Sequence, residues 1–221
     1  MEILKTNTKG LLIVISGPSG AGKGTICSEL VKNDNIWLST SMTTREPRGT
    51  EQNGVEYFFV TKEEFEKRIK ENKFLEYAIV HNNQYYGTPI DKIEEKRDKG
   101  IDVILEIDIQ GALKVKEIIK EAICIFIMPP SMEILKDRLI KRNTETKDKV
   151  LERFKTAYQE INEVSKYNYV VVNDYVDIAT KKVESIINAE KCRVDRIEEV
   201  FLNNQEEVMH EALVDLENKN E

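Results

Sequence analysis

Apolar residues along the chain fall into short, β-branched runs at 11–15 (Leu-Leu-Ile-Val-Ile), 102–107 (Asp-Val-Ile-Leu-Glu-Ile), 123–128 (Ile-Cys-Ile-Phe-Ile-Met) and 168–172 (Asn-Tyr-Val-Val-Val). These runs are nearly continuous rather than alternating, the pattern of parallel strands buried on both faces. Between them lie segments of helical spacing at 23–32, 62–71, 90–98, 111–120, 131–141, 147–165 and from 176 to 190 onward. Thr61 and Glu64 make a capping box that opens 62–71, while Pro129-Pro130-Ser131 ends a strand and caps the next helix. Strands and helices in this alternation predict an α/β protein of three layers around a central parallel sheet.

Two stretches break the alternation. Residues 38–89 combine a polar turn (Pro47-Arg48-Gly49), strand-like pieces at 55–60 and 75–80, and Asn82-Asn83 as a hairpin turn, which predicts a small mixed α/β sub-domain inserted in the core. Residues 138–153 are dense in charge and are expected to form an exposed, mobile segment.

Chemistry enters directly after the first apolar run. Gly17-Pro18-Ser19-Gly20-Ala21-Gly22-Lys23-Gly24-Thr25 separates that strand from the helix at 23–32, the setting of a phosphate-binding P-loop. Glycines at 17, 20 and 22 let successive backbone N–H groups turn toward one anion, and the helix start adds its positive dipole end. Lys23 brings a full charge to the β- and γ-phosphates of a nucleotide. The next position, where Ser or Thr ordinarily serves Mg²⁺, is Gly24, with Thr25 one step late.

Composition narrows the setting. The 221 residues are 40% hydrophobic and 33% charged, enough for a sizeable core, and they contain neither a membrane-span-length apolar stretch nor a signal-peptide core. A cytoplasmic protein without a membrane partner is expected. Cys27, Cys124 and Cys192 lack paired spacing and read as small apolar filler in a reducing compartment; His81 and His210 cannot build a metal site. The net charge of −7 lies wholly in residues 197–221, where eight acids meet a single base, Lys219. The neutral remainder speaks against a nucleic-acid polymer as partner.

Other signals are weaker alone. Asp108 follows the strand at 102–107, where P-loop proteins often place an acid facing the phosphates and metal; Glu106 and Asp108 are read as pointing to opposite faces of the sheet. Arg45-x-x-Arg48 and Arg138-x-x-x-Arg142 suit a phosphate and equally suit solvated surface charge.

In combination these segments resemble the guanylate kinase family. The residues that carry the resemblance are Ser16 to Lys23, Ser41-x-Thr43-Thr44-Arg45-x-Pro47-Arg48, Asn53-Gly54-x-x-Tyr57-x-Phe59, Phe74 to Ala78, Tyr85-Tyr86-Gly87-Thr88, Leu105 to Gly111, Arg138-Leu139-x-x-Arg142-x-Thr144-Glu145-Thr146 and Val171-Val172-Asn173-Asp174. The resemblance implies a P-loop NTPase-like domain over 1–196, with core 10–37 and 90–196, a GMP-binding insert 38–89 and a helical lid 138–153. Residues 197–221 then form an acidic C-terminal helical extension whose apolar positions follow a helical stripe.

The implied reaction is ATP-dependent phosphorylation of GMP, and of dGMP, with Mg²⁺. Carried onto this chain, ATP is held by residues 17–25 and Asn173. The GMP phosphate is held by Arg45, Arg48, Tyr57 and Tyr86, and guanine is read by Ser41, Glu76, Thr88 and Asp108. Lys23, Arg45, Arg138, Arg142 and Arg153 neutralise charge at the reacting centre. The metal is expected to be held through water and phosphates near Thr25 and Asp108, and Asp108 serves the base, the metal or both. Two alternatives stay open: another nucleoside monophosphate kinase, suggested by Gly24-Thr25, and an inactive guanylate-kinase-like binding module, against which the intact loop stands.

Overall fold

The computed structural model describes residues 4–6, 9–80, 84–141 and 147–200. His81, Asn82-Asn83, Arg142 and His210 therefore lie outside the described residues, as does the tail beyond Val200. The chain divides into two compact units, residues 9–186 and residues 1–8 with 187–221. In the smaller, strand β1 (Leu4–Thr6) pairs antiparallel with β11 (Ile197–Val200). The first four residues of the acidic extension are thus a strand paired with β1, not the opening of a helix.

In the larger unit, β2 (Leu12–Ser16), β3 (Ile36–Leu38), β8 (Asp102–Glu106), β9 (Ile123–Met128) and β10 (Tyr169–Val172) form a parallel sheet in the order β10-β9-β2-β8-β3. Four of these are the apolar runs. The fifth, β3, is three residues of which only Ile36 is buried, too short to show a period in the sequence.

Every residue of β2 is buried, so both faces of the sheet must be covered. On one face Leu12, Val14, Val103, Leu105 and Cys124 cluster with Ile93 of α3 (Ile90–Asp98) and with Ala112 and Val115 of α4 (Ile109–Ile118). Alternating with them along the strands, Ile13, Ile15, Ile104, Ile125 and Ile127 are also sealed from solvent. Helix α1 (Lys23–Leu30), which contacts β2 and β8, buries Ile26, Cys27 and Leu30. Each such aliphatic contributes roughly 1.5–3 kcal/mol on burial, more than helix or strand propensity supplies.

The insert is a four-stranded mixed sheet, β5-β4-β7-β6, built from β4 (Met42–Thr43), β5 (Phe58–Phe59), β6 (Phe74–Val80) and β7 (Gln84–Pro89). Thr61 caps α2 (Lys62–Lys70) by accepting from the Glu64 amide at 3.2 Å. The same helix buries Phe65, whose ring stacks on Phe74 with centroids 4.3 Å apart. Thr43 and Thr44 bind β4 to β7: Thr43 Oγ1 donates to the Tyr85 carbonyl (2.9 Å), and Thr44 Oγ1 accepts from the Tyr85 amide (3.0 Å). Helices α5 (Met132–Lys141) and α6 (Lys147–Ile161) follow β9, and Ser131 Oγ accepts from the Ile134 amide at 3.1 Å, capping α5.

Because Ile104 is fully buried on a strand flanked by β2 and β3, Ile104→Ala should cost 2–5 kcal/mol, on the order of other buried Ile→Ala changes. The expected result is a lower urea midpoint with an unchanged denaturant slope.

Candidate active site

Between the end of β2 at Ser16 and the start of α1 at Lys23, the chain turns through three glycines with positive φ: Gly17 (141°), Gly20 (87°) and Gly22 (89°). Space is as restrictive as angle. A Cβ on Gly17 would stand 2.3 Å from the Ile127 carbonyl oxygen, and one on Gly22 would stand 2.3 Å from Asn173 Nδ2. Lys23 Nζ donates to the carbonyls of Gly17 (2.6 Å) and Pro18 (3.2 Å), which holds the ammonium over the loop. Pro18, Ser19 and Ala21 complete the curl, with the Ala21 amide bonded to the Pro18 carbonyl at 3.1 Å. Thr25 is exposed on α1 and is not in the cavity wall described below.

Asn173, which follows β10, is 2% exposed, and its Nδ2 donates to the Ala21 carbonyl at 2.8 Å. The backbone carbonyl of Asn173 accepts from Arg138 Nη2 at 3.1 Å. The asparagine side chain is therefore committed to the loop backbone, and Arg138 is tied to the same corner.

One cavity of about 790 Å³ runs from Lys23 and Gly24 across to the insert. Its wall includes Ser41, Arg48, Tyr57, Glu76, Tyr86, Asp108 and Arg153, all expected at the site from the sequence, together with Glu106, which was expected on the other face of the sheet. Glu106 and Asp108 line the same cavity, which corrects the expectation of opposite faces: residues two apart on a strand share a face. Asp108 lies just past the end of β8 and caps α4, its Oδ1 accepting from the Gly111 amide at 2.8 Å.

The Glu106 carboxylate oxygens lie 3.5 and 3.6 Å from the position a Cβ on Gly24 would take. The Glu106 carboxylate thus lies in ordinary contact range of the start of α1. Burial and the Glu106 charge push the neighbouring Cys27 thiol far above its ordinary pKa, so this cysteine is packing, not a nucleophile.

At the insert end, Glu76 of β6 pairs with Thr88 of β7 in the strand register, and Thr88 Oγ1 donates to Glu76 Oε1 at 2.7 Å. Thr88 is 1% exposed. Burial raises the Glu76 carboxyl above its usual range and Asp108 adds to the rise, opposed by the Thr88 hydroxyl and by Lys114. A partly desolvated carboxylate with one oxygen satisfied is an acceptor built for a donor that is not part of the chain.

Arg45 is brought to this corner but is not in the cavity wall: it is 6% exposed and bonded on several sides. Tyr57 and Tyr86 meet edge to face in front of it, with ring centroids 5.9 Å apart. Arg153 lines the same cavity as Lys23, and Arg142 lies outside the described residues.

The parallel sheet, the left-handed glycine loop after its central strand and the lysine over that loop define a P-loop nucleotide-binding protein. The guanylate kinase family profile matches residues 9–190. The chain is 64% identical to a guanylate kinase of Clostridium tetani, over 94% of this chain and 99% of the relative, and 59% identical to one of Clostridium perfringens, over 97% and 100%. Its structure is similar to the crystal structure of guanylate kinase from Anaplasma phagocytophilum, with a TM-score of 0.73 and 33% identity over 89% of this chain and 93% of that one. The chain belongs to the guanylate kinase family and is an enzyme of the kinase class. Among the described residues no helix is long and apolar enough to cross a membrane.

The raised carboxyl of Glu76 has a consequence for stability. Between the ordinary carboxylate pKa and its raised value, the folded state binds more protons at Glu76 than the unfolded state, so ionising it costs stability as pH rises. Glu76→Gln should therefore raise the melting temperature of the ligand-free protein at pH 7 and lose that advantage near pH 4, read by thermal unfolding across pH.

Proposed function

We propose that the chain transfers the γ-phosphoryl group of ATP to GMP, and to dGMP with the same base edge, giving ADP and GDP or dGDP. The observation that carries this is Glu76: a largely buried carboxylate, held by Thr88, in the cavity that also reaches the P-loop. Guanine offers N1–H and the exocyclic amine as paired donors to such an acceptor, whereas adenine offers neither. AMP would leave Glu76 desolvated and unpaired. Ser41 and Asp108 stand in the same wall for the rest of the base edge.

The acceptor phosphate is assigned to Arg48 and to the hydroxyls of Tyr57 and Tyr86, with Arg45 behind them. The ATP phosphates are assigned to the amides of residues 17–25 and to Lys23, and Asn173 is assigned to holding that loop. We take residues 38–89 as the acceptor sub-domain and 138–153 as the lid that brings Arg138, Arg142 and Arg153 to the transferring group. ATP and GMP are cytoplasmic solutes, and there we place the reaction.

In-line transfer needs no covalent protein intermediate. The chain supplies alignment of the acceptor oxygen and positive charge around the equatorial oxygens, and closure keeps water from taking the phosphoryl group. Mg²⁺, when bound, neutralises the β- and γ-phosphate oxygens. The donors present fit it: Glu106 is a hard oxygen ligand beside Gly24 of the loop, and Asp108 lines the same cavity. That suits an ion that keeps its waters and uses one or two carboxylates plus phosphates. Glu106 and Asp108 are the residues that would hold it.

Side-by-side phosphorylation of GMP, dGMP and AMP tests the assignment. We expect kcat/KM for GMP to exceed that for AMP by on the order of 10⁴, the range of sites built to hydrogen-bond a substrate group. Glu76→Gln should collapse that ratio mainly by losing GMP. Comparable turnover of AMP by the unaltered enzyme would defeat it.

A further inference from the structure

Glu51 lies in none of the motifs that carry the family resemblance, yet its carboxylate joins two of the insert's arginines. Arg45 Nη1 and Nη2 donate to its two carboxylate oxygens at 2.6 and 2.9 Å, and the Arg48 amide donates to it at 2.7 Å. The other bonds of Arg45 complete a cage: Nε donates to the Tyr86 hydroxyl at 3.0 Å and Nη1 to the Glu46 carbonyl at 2.8 Å. The rings of Tyr57 and Phe59 stand 5.1 and 5.6 Å from the guanidinium carbon.

We propose that Glu51 is the positioning residue of the acceptor-phosphate site, aiming Arg45, Arg48 and the Tyr86 hydroxyl at a phosphate monoester in the cavity. The inference rests on the assignment of GMP as acceptor. A guanidinium has five N–H donors, and the cage uses four of them. Its plane is consequently fixed, and only one N–H, on Nη2, is left to turn outward. Tyr86 accepts from Arg45 through its oxygen, which leaves its own hydrogen for a different acceptor, and Tyr86 lines the cavity.

Glu51 also binds the backbone at Arg48, so one carboxylate sets the distance between the buried arginine and the exposed one. Arg45 has a side chain only 5% exposed, where a cation without a counter-ion is strongly disfavoured; Glu51, at 22%, supplies that counter-ion from the rim. The two titrations agree in direction: Arg45 holds the Glu51 carboxyl down to about 2, and Glu51 raises the Arg45 guanidinium.

The test uses the full chain, unaltered and as Glu51→Gln and Glu51→Asp, with KM for GMP, KM for ATP, kcat, inhibition by guanosine and the melting temperature measured on each. Glu51→Gln keeps the shape and loses the charge and the bidentate pair. Its KM for GMP should rise at least about tenfold, the loss of about 1.4 kcal/mol, while KM for ATP and inhibition by guanosine, which has no phosphate, hold. Glu51→Asp keeps the counter-ion but is one methylene short of reaching both partners, so it should fold and show a smaller rise. An unchanged or lower KM for GMP in the variants would overturn the proposal, because Glu51 would then be idle or a competitor of the phosphate. Parallel weakening of GMP, ATP and guanosine would equally overturn it as general structural damage. Failure of the unaltered enzyme to phosphorylate GMP would remove the acceptor assignment itself, an outcome separate from any effect of the variants.

Discussion

The turn at Gly17 is the constraint on which the rest of the site hangs. Strand β2 is buried along its whole length, so it must leave the sheet at its end, and at Gly17 the backbone passes so close to the Ile127 carbonyl that no side chain fits between them. Only a glycine there, with φ of 141°, lets the chain curl directly onto α1. The Asn173 side chain then holds the curl at Ala21 and fills the space beside Gly22. The anion cradle is thus an extension of the packing of three neighbouring strands, β2, β9 and β10.

Opposed to that half stands an insert held by a different kind of interaction. Two of its four strands, β4 and β5, are only two residues long, and beside the cavity it is tied by charge-assisted contacts: Arg45 with Glu51, and Thr88 with Glu76. The two carboxylates do opposite things. Glu51 is paired inside the fold, so its carboxyl is held far below the usual range; Glu76 is desolvated with a hydroxyl as its neighbour, so its carboxyl is raised above that range. The first carboxylate has its charge partner inside the fold, and the second has only the Thr88 hydroxyl. A substrate donor can pair with the second, and that pairing is what distinguishes one base from another.

Between the two halves, Glu106 and Asp108 share the floor of the cavity. Asp108 spends one oxygen on the start of α4, while Glu106 lies against Gly24. The glycine that looks like a gap in the loop motif is matched by an acid long enough to reach it.

Much of this was legible in the chain. Near-continuous runs of Ile, Val and Leu determined four of the five core strands, and the spacing of Gly17, Gly20, Gly22 and Lys23 determined an anion site, because both patterns are local: burial on two faces and positive φ leave their mark on consecutive residues. Glu76, Arg48, Tyr57 and Tyr86 were recognisable through the motifs around them. What only the tertiary structure decided involves partners distant in sequence or contacts without a motif. Strand β3 exists because β8 offers it an edge. Asn173 faces Ala21 across 152 positions of chain, and Arg45 sits behind the cavity wall because Glu51 and Tyr86 enclose it. A side chain's residue type states what it can bond; which group reaches it, and whether water is excluded there, is set by packing.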